Sequence, residues 1–323
     1  MADFGIGVDL GGTNLRAAAV SAEGTILDQF QISTPRGEGR DKIVAGMVEG
    51  INKVREGRGD ASLAGIGVGV PGLIELEKGL IHKAPNLPGW ENFPLRDELE
   101  TKLGCPVLLE NDANAAALGE YWLGAGRDVN DLVLVTLGTG IGGGIISGEK
   151  ILHGYLGMAG EIGHVTVEPN SGMLCGCGNY GCLEVQSSAT AVARMGNDVI
   201  HARRSDLLAE LKEKNGGRMT AQLVHQAAQA GDEEAKRVYM RMGVALGRGM
   251  ATLIDIFNFP LYLLAGGVLA AWDLFAPAMF DEIEHRSVTF RETDTRVEQA
   301  KLGSQAGLYG AAFLPIQHKR HQS

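Results

Sequence analysis

Apolar residues collect in the run Phe4 to Leu10, break at Gly11-Gly12-Thr13, and resume from Leu15 to Val20. Two strand-length runs separated by a glycine break predict a pair of strands joined by a turn, and residues 4–35 read as the start of an antiparallel meander. The spacing over Asp41 to Arg55 is helical. Gly65 to Val70 is strand-like and closes at Pro71-Gly72, and the helical stretch Leu95 to Leu103 leads into a strand over Pro106 to Leu109. Strands alternating with helices predict an α/β lobe.

Near Asp131 the pattern starts again. Leu132-Val-Leu-Val-Thr-Leu-Gly-Thr-Gly parallels Phe4-Gly-Ile-Gly-Val-Asp-Leu-Gly-Gly-Thr, an apolar strand running into a Gly/Thr turn, although the repeat is short and chance is an alternative reading. Gly144-Ile-Ile-Ser-Gly-Glu-Lys-Ile reads as a strand and a turn. After Glu184 the period becomes helical, with Thr220 placed as N-cap and Gly231 as the stop for residues 221–230. A helical layer is predicted to about Phe257, then a buried strand over Leu261 to Ala265 ending in Gly266-Gly267, then a final packed helix over Gln305 to Ile316. The tail from His318 to Ser323 is expected to be solvated.

The length of 323 residues changes this picture by allowing two domains. The 47 glycines are about twice the ~7% average usage and imply many close backbone approaches. A net charge of -10 argues against a broad nucleic-acid surface while leaving room for a small phosphate pocket. The longest uncharged stretch, Leu132 to Gly148, is shorter than the ~20 residues a membrane span needs and is rich in glycine, so no membrane role is expected. Acidic Asp3 followed at once by a strand does not resemble a signal peptide, and a cytoplasmic location is expected. Four cysteines in such a chain then point to metal binding before disulfides.

Three strand-to-glycine junctions, at Gly11-Gly12, Gly138 to Gly144 and Gly266-Gly267, can each present backbone N–H groups to phosphate. Any one of them alone reads more readily as an ordinary hairpin; three together, each after an apolar strand, favour phosphate. The spelling G-x-G-x-x-G occurs at Gly138, Gly140 and Gly143 and again at Gly67, Gly69 and Gly72, so it discriminates little. No helix follows Gly143, which counts against a dinucleotide fold, and no P-loop spelling is present. Asp9 ends an apolar strand beside the first turn, where a carboxylate needs pairing, water or a cation; the magnesium of a nucleotide would satisfy it.

Asp112 lies between the strand Pro106 to Leu109 and the Ala-rich helical run Ala113 to Tyr121. It suits a general base at a strand-to-helix junction, and equally Asp112 or Asn111 could serve as a helix cap. His164, Cys175, Cys177 and Cys182 offer one imidazole and three thiolates, a set that suits tetrahedral zinc; free thiols beside a satisfied histidine are the alternative. Four protein ligands leave no open position, so such a zinc would be structural. Cys105 reads as a packing residue, and His82, His153 and His225 have no partner visible in sequence.

Asp9-Leu-Gly-Gly-Thr-Asn14, Glu110-Asn-Asp-Ala-Asn-Ala-Ala116, Gly138-Thr-Gly-Ile-Gly-Gly-Gly144, Glu161-Ile-Gly-His164 and Cys175-Gly-Cys-Gly-Asn-Tyr-Gly-Cys-Leu-Glu184 resemble, in that order, the motifs of the ROK family of sugar kinases and repressors. The resemblance covers nearly the whole chain, and the cysteine segment is most similar to the family's bacterial glucokinase branch. It implies an α/β actin-like ATPase (hexokinase-like) fold of two lobes around a central cleft. Residues 1–115 with about 302–323 would form the small lobe, and 116–301 the large lobe with the zinc segment and helical layer.

By the same resemblance, ATP and Mg2+ would be held by Asp9, Gly11, Gly12, Thr13 and Asn14, by Gly138, Thr139 and Gly140, and by Gly266 and Gly267. A hexose would be held by Asn86, Asn111, Asp112, Glu161, His164 and Glu184, with Asp112 as the catalytic base and structural Zn2+ on His164, Cys175, Cys177 and Cys182. The implied reaction is ATP-dependent phosphorylation of a hexose 6-hydroxyl, glucose first, with fructose, allose, N-acetylmannosamine and N-acetylglucosamine as variants. A sugar-sensing regulator without catalysis and a filament-forming actin-like ATPase are the other classes. ROK repressors carry a helix-turn-helix ahead of the first strand, which here begins by Phe4. A homodimer is expected, using the helical layer from about Arg194 to Phe257.

Overall fold

Glycine alternates with large residues in the first strand, β1 (Phe4–Leu10), so a period of two puts Phe4, Ile6 and Val8 on one face and Gly5 and Gly7 on the other. The computed structural model describes residues 4–58, 63–84, 87, 89–170 and 172–322. β1 pairs antiparallel with β2 (Asn14–Ser21), and β2 with β3 (Ile26–Ser33), the meander expected from the sequence. Helix α1 (Arg40–Arg55) then crosses to β4 (Leu63–Val70), which lies parallel to β1. A small hairpin of β5 (Leu73–Glu75) and β6 (Leu80–Lys83) and helix α2 (Leu95–Leu103) lead to β7 (Val107–Asn111), parallel to β4, and then to helix α3 (Asp112–Leu123).

A second five-stranded sheet is built from β8 (Leu132–Leu137), β9 (Ile141–Ser147), β10 (Lys150–Ile151), β11 (Leu261–Ala265) and β12 (Arg296–Gln299). Its order, β10-β9-β8-β11-β12, repeats the order β3-β2-β1-β4-β7 of the first sheet. The short sequence repeat at Phe4 and Leu132 therefore marks a repeat of architecture. Between β10 and β11 run the helices α4 (Leu183–Ser187), α5 (Ala189–His201), α6 (Asp206–Lys214), α7 (Ala221–Gln229) and α8 (Glu233–Phe257). Thr220 caps α7 by accepting from the N–H of Leu223, and Gly231, at φ +96°, follows its end as expected. Helices α9 (Trp272–Arg286) and α10 (Val288–Glu292) precede β12, and α11 (Ala306–Gln322) closes the chain.

The tail is exposed at His318, Lys319 and Arg320 as expected, and α11 continues through it, with Lys319 Nζ donating to the carbonyl of Leu63 at 2.9 Å and the Arg320 guanidinium over the Phe313 ring. Two compact units result, one of Met1–Leu134, Gly144–Gly160 and Ala300–Ser323, the other of Val135–Gly143 and Glu161–Gln299.

In the first unit the large face of β1 packs with Leu15, Ala17, Ile43, Met47 and Ile51 in the main core cluster. Across the sheet, α11 lies directly on the glycine face. A Cβ on Gly7 would stand 2.5 Å from the backbone N of Ala312, and one on Gly67 would stand 2.0 Å from the carbonyl O of Ala311. Backbone cannot yield as a flexible side chain can, so we expect Gly67→Ala to cost about 1–3 kcal/mol or more. Chemical denaturation of the two proteins checks this, and an unchanged midpoint would show that α11 is not seated on β4. Among the described residues no helix is long and apolar enough to cross a membrane.

Candidate active site

Parallel strands deliver their chemistry to one end of a sheet. In the first unit β1, β4 and β7 run parallel, with Asp9 opposite Gly69 and Val70 opposite Asn111, so Asp9, the first glycine turn and Asp112 all lie at the C-terminal ends of the strands. Gly69 stands between them, and even a Cβ there would come within 3.9 Å of the Asp112 Cα.

Hydrogen bonds hold the turn itself. Gly11 N–H donates to the Asn14 carbonyl at 2.9 Å, the Thr34 hydroxyl to the Gly11 carbonyl at 2.8 Å, and Thr34 N–H to the Thr13 carbonyl at 2.8 Å. Gly12 and Thr13 face solvent at its tip, where Arg36 Nη1 reaches the Gly12 carbonyl at 3.4 Å. Arg36 is a residue that sequence reading passed over, since only the fold brings residue 36 back to residue 12.

Asp9 sits 3.7 Å from Arg16 Nη2. Burial pushes its carboxyl up to about 6; Arg16 opposes this, and the charge of Asp112 adds to it. A carboxylate whose proton affinity is raised by burial and by a second carboxylate is suited to a cationic neighbour.

The capping role that sequence left open between Asn111 and Asp112 falls to Asn111. Asn111 is the N-cap of α3, its Oδ1 accepting from the N–H groups of Ala113 and Asn114, while its Nδ2 donates to the Gly72 carbonyl at 3.2 Å. Asp112 is the first helical residue, with Oδ1 accepting from Ala113 N–H at 2.9 Å. Asn86 lies outside the described residues.

The second unit gathers most of the remaining candidates. Gly138 N–H donates to the Gly140 carbonyl at 3.0 Å, closing the second turn, and Ala189 N–H and the Thr190 hydroxyl hold the carbonyls of Gly138 and Thr139. A Cβ on Gly266 would lie 2.3 Å from the Leu137 carbonyl O, so the third turn rests against the foot of the second. Glu184 Oε2 accepts from Ile141 N–H at 2.9 Å, and a Cβ on Gly140 would strike that oxygen. The second turn is therefore tied to a predicted sugar residue.

His164 Nδ1 lies 3.5 Å from Cys175 Sγ, Cys177 Sγ lies 3.7 Å from Cys182 Sγ, and the ligand atoms of all four residues lie within 4.8 Å of one another. Zinc bonds of about 2.3 Å to sulfur and about 2.0–2.1 Å to nitrogen require tetrahedral edges of about 3.5–3.8 Å, so the donor set fits the ion. Burial, with hydrogen bonding from Cys177 and Cys175, pushes the Cys182 thiol up to about 12, so holding it as a thiolate at neutral pH would require a bound cation. The other ring nitrogen, Nε2, faces Glu161 Oε2 at 3.8 Å. Partial burial raises the Glu161 carboxyl above its ordinary range; His164 opposes this and Glu184 adds to it. Glu161, His164 and Glu184 are thus one group beside the cysteine knot.

Two histidines that had no visible partner have one here. His82 Nε2 meets Glu75 Oε2 at 2.9 Å, and His153 Nε2 meets the buried Glu110 Oε2 at 2.7 Å. Glu110 carried a signal in the sequence, a carboxylate closing an apolar strand as Asp9 does, but its partner is 43 positions away.

The chain matches the ROK family over residues 5–318. It belongs to that family. A glucokinase of Halalkalibacterium halodurans is 39% identical to it over 316 residues, which cover 97% of this chain and 95% of the relative. Among solved structures, a ROK hexokinase from Thermus thermophilus superposes with a TM-score of 0.83 at 32% identity, covering 99% of this chain and 100% of that one. A ROK family glucokinase from Streptomyces griseus, solved with glucose and AMPPNP, gives a TM-score of 0.77 at 35% identity over 97% and 99% of the two chains. The fold of this ROK protein is accordingly the α/β actin-like, hexokinase-like one that its motifs imply.

Proposed function

We propose that this ROK protein is a glucokinase that transfers the γ-phosphoryl group of ATP to the 6-hydroxyl of glucose. The observation that carries the reading is its full-length likeness to glucokinases, including the Streptomyces griseus protein that binds glucose and AMPPNP. The residues supply what the reaction needs. Phosphoryl transfer depends on in-line positioning, neutralised charge and a group that takes the hydroxyl proton. Asp112 accepts the O6 proton as O6 bonds to the γ-phosphorus, the bond from that phosphorus to the β,γ-bridging oxygen breaks, and ADP departs with the electron pair. An ionised base suits an alcohol whose proton leaves late.

Asn111, Glu161, His164 and Glu184, together with Asn86, hold the remaining hydroxyls, because carboxylates and amides can bond adjacent hydroxyls as acceptors and donors. The glycine turns at Gly11 to Asn14, Gly138 to Gly140 and Gly266-Gly267 cradle the phosphates of the nucleotide. Asp9 would hold the Mg2+ that arrives with ATP, which would relieve its burial and supply neutralising charge. Zinc on His164, Cys175, Cys177 and Cys182 would be structural, fixing His164 Nε2 as the nitrogen that faces the sugar and setting Glu184 two residues beyond Cys182. We read the protein as a cytoplasmic homodimer whose product enters glycolysis, without nucleic-acid or membrane partners.

The test is ADP release across glucose, fructose, allose, mannose, N-acetylmannosamine and N-acetylglucosamine. Glucose should give the highest kcat/KM. A higher value for another sugar would move the assignment within the hexose kinases, and no sugar-dependent release would overturn it.

A further inference from the structure

We propose that Glu110 and His153 are a positioning pair for Asp112, a tie that fixes the strand-to-helix turn carrying the base. The inference rests on Asp112 acting as proposed above and names what holds it. Glu110 is only 2% exposed and stands two residues before Asp112, at the end of β7. Its oxygens serve opposite sides. Oε1 accepts from the N–H of Asn111 at 2.9 Å and from the side-chain amide of Asn114 at 3.0 Å, gripping both sides of Asp112. Oε2 accepts from His153 Nε2 at 2.7 Å, which anchors the carboxylate to the segment just beyond β10.

A carboxylate this buried is costly unless its charge is met, and a short bond to an imidazolium meets it. The hydrogen bond from Asn111 Nδ2 to Gly72 pins the same turn from the β4 side. Neither member of the pair is expected to touch sugar or nucleotide, and the pair acts through the placement of Asp112. Such placement matters, because a displacement of about 1 Å can cost about 10²-fold in rate.

The pair also carries a signature that packing alone would not. Burial works against the charge on His153, but its hydrogen bond with Glu110 and the charge of Glu110 outweigh it, and its pKa is raised above the ordinary value. Glu110 is the charged group that bears on His153 among the described residues. A raised histidine is charged, and the tie strongest, below the ordinary pKa of about 6.5; the charge is lost as pH rises through the higher folded value. Turnover should therefore fall on the alkaline side with the ionisation of His153.

The experiment compares wild type, His153→Ala and His153→Gln in sugar-dependent ADP release from pH 6 to about 9, with thermal melts of each protein. His153→Ala strands a buried carboxylate oxygen, and kcat should fall about tenfold or more while KM for glucose and for ATP stays within about twofold. His153→Gln restores a neutral donor; it should recover at least about half of kcat and lose the alkaline step. Two results would overturn the pair alone: a kcat for folded His153→Ala within about twofold of wild type, or an alkaline step that persists in His153→Gln. Absence of sugar-dependent release from the wild type would instead sink the kinase reading, and the role of the pair with it.

Discussion

Asp112→Asn is expected to reduce kcat by about 10²–10⁴-fold, the range that removal of a positioned general base produces. Glucose should still bind within a few-fold, because an amide of the same shape keeps one acceptor and adds a donor. The structure makes this substitution unusually clean. Asn111, not Asp112, caps α3 through its Oδ1, and the bond from Ala113 N–H to Asp112 Oδ1 can be accepted by an asparagine oxygen as well. A loss of rate could not then be attributed to an unravelled helix. Calorimetric titration of glucose beside single-turnover kinetics separates the two effects. A variant that keeps kcat within about tenfold of wild type would remove Asp112 from the chemistry and return it to the helix start.

The second large effect is expected at the cysteine knot. Cys177→Ser should release the metal and lower kcat/KM for glucose by about 10–100-fold or more, with a smaller change in KM for ATP. Cys177 is the exposed member of the set, so the change leaves no buried cavity, whereas Cys175 and Cys182 are buried. The asymmetry between substrates follows from what the knot holds. His164 Nε2 faces Glu161 at 3.8 Å, and Cys175 Sγ lies 4.0 Å from Glu184 Oε1, so losing the ion would loosen the sugar residues first. Elemental analysis of the purified wild type should give about one zinc per chain. A metal-free protein that phosphorylates glucose at the same rate would refute a structural zinc.

Much of this site could be read from the sequence because its parts are local. A strand that runs into Gly11-Gly12 and Cys175-Gly-Cys followed by Cys182 declare themselves within a few residues, and the structure joins both as hydrogen-bonded units. Which of Asn111 and Asp112 caps the helix could not be read, since either residue type can; only the position of the first helical peptide decides between them. Long-range ties were also hidden. The grip of Glu184 on Ile141 spans 43 positions, as does the bond between Glu110 and His153, and no period or spacing announces either.

The glycine face of β1 was visible as an alternation, yet nothing in the alternation named α11 as the element lying on it. The tail is exposed at His318 to Arg320 as its polar residues predict, but its helical form was hidden for a related reason. A polar ending such as His318-Lys-Arg is compatible with coil, but it follows a helix already seated on the sheet, and extending a formed helix adds one bond for each residue fixed.

The proposed reaction is transfer of the γ-phosphoryl group from ATP to glucose O6 with Asp112 as base. Phosphorus NMR of a reaction containing the purified protein, ATP, Mg2+ and glucose tests it most directly, run in parallel with Asp112→Asn. A sugar phosphate ester bonded at C6 is expected, formed in equal amount with ADP by the wild type and nearly absent with the variant. Phosphorylation at another carbon, ADP formed together with inorganic phosphate, or equal product from the two proteins would contradict it.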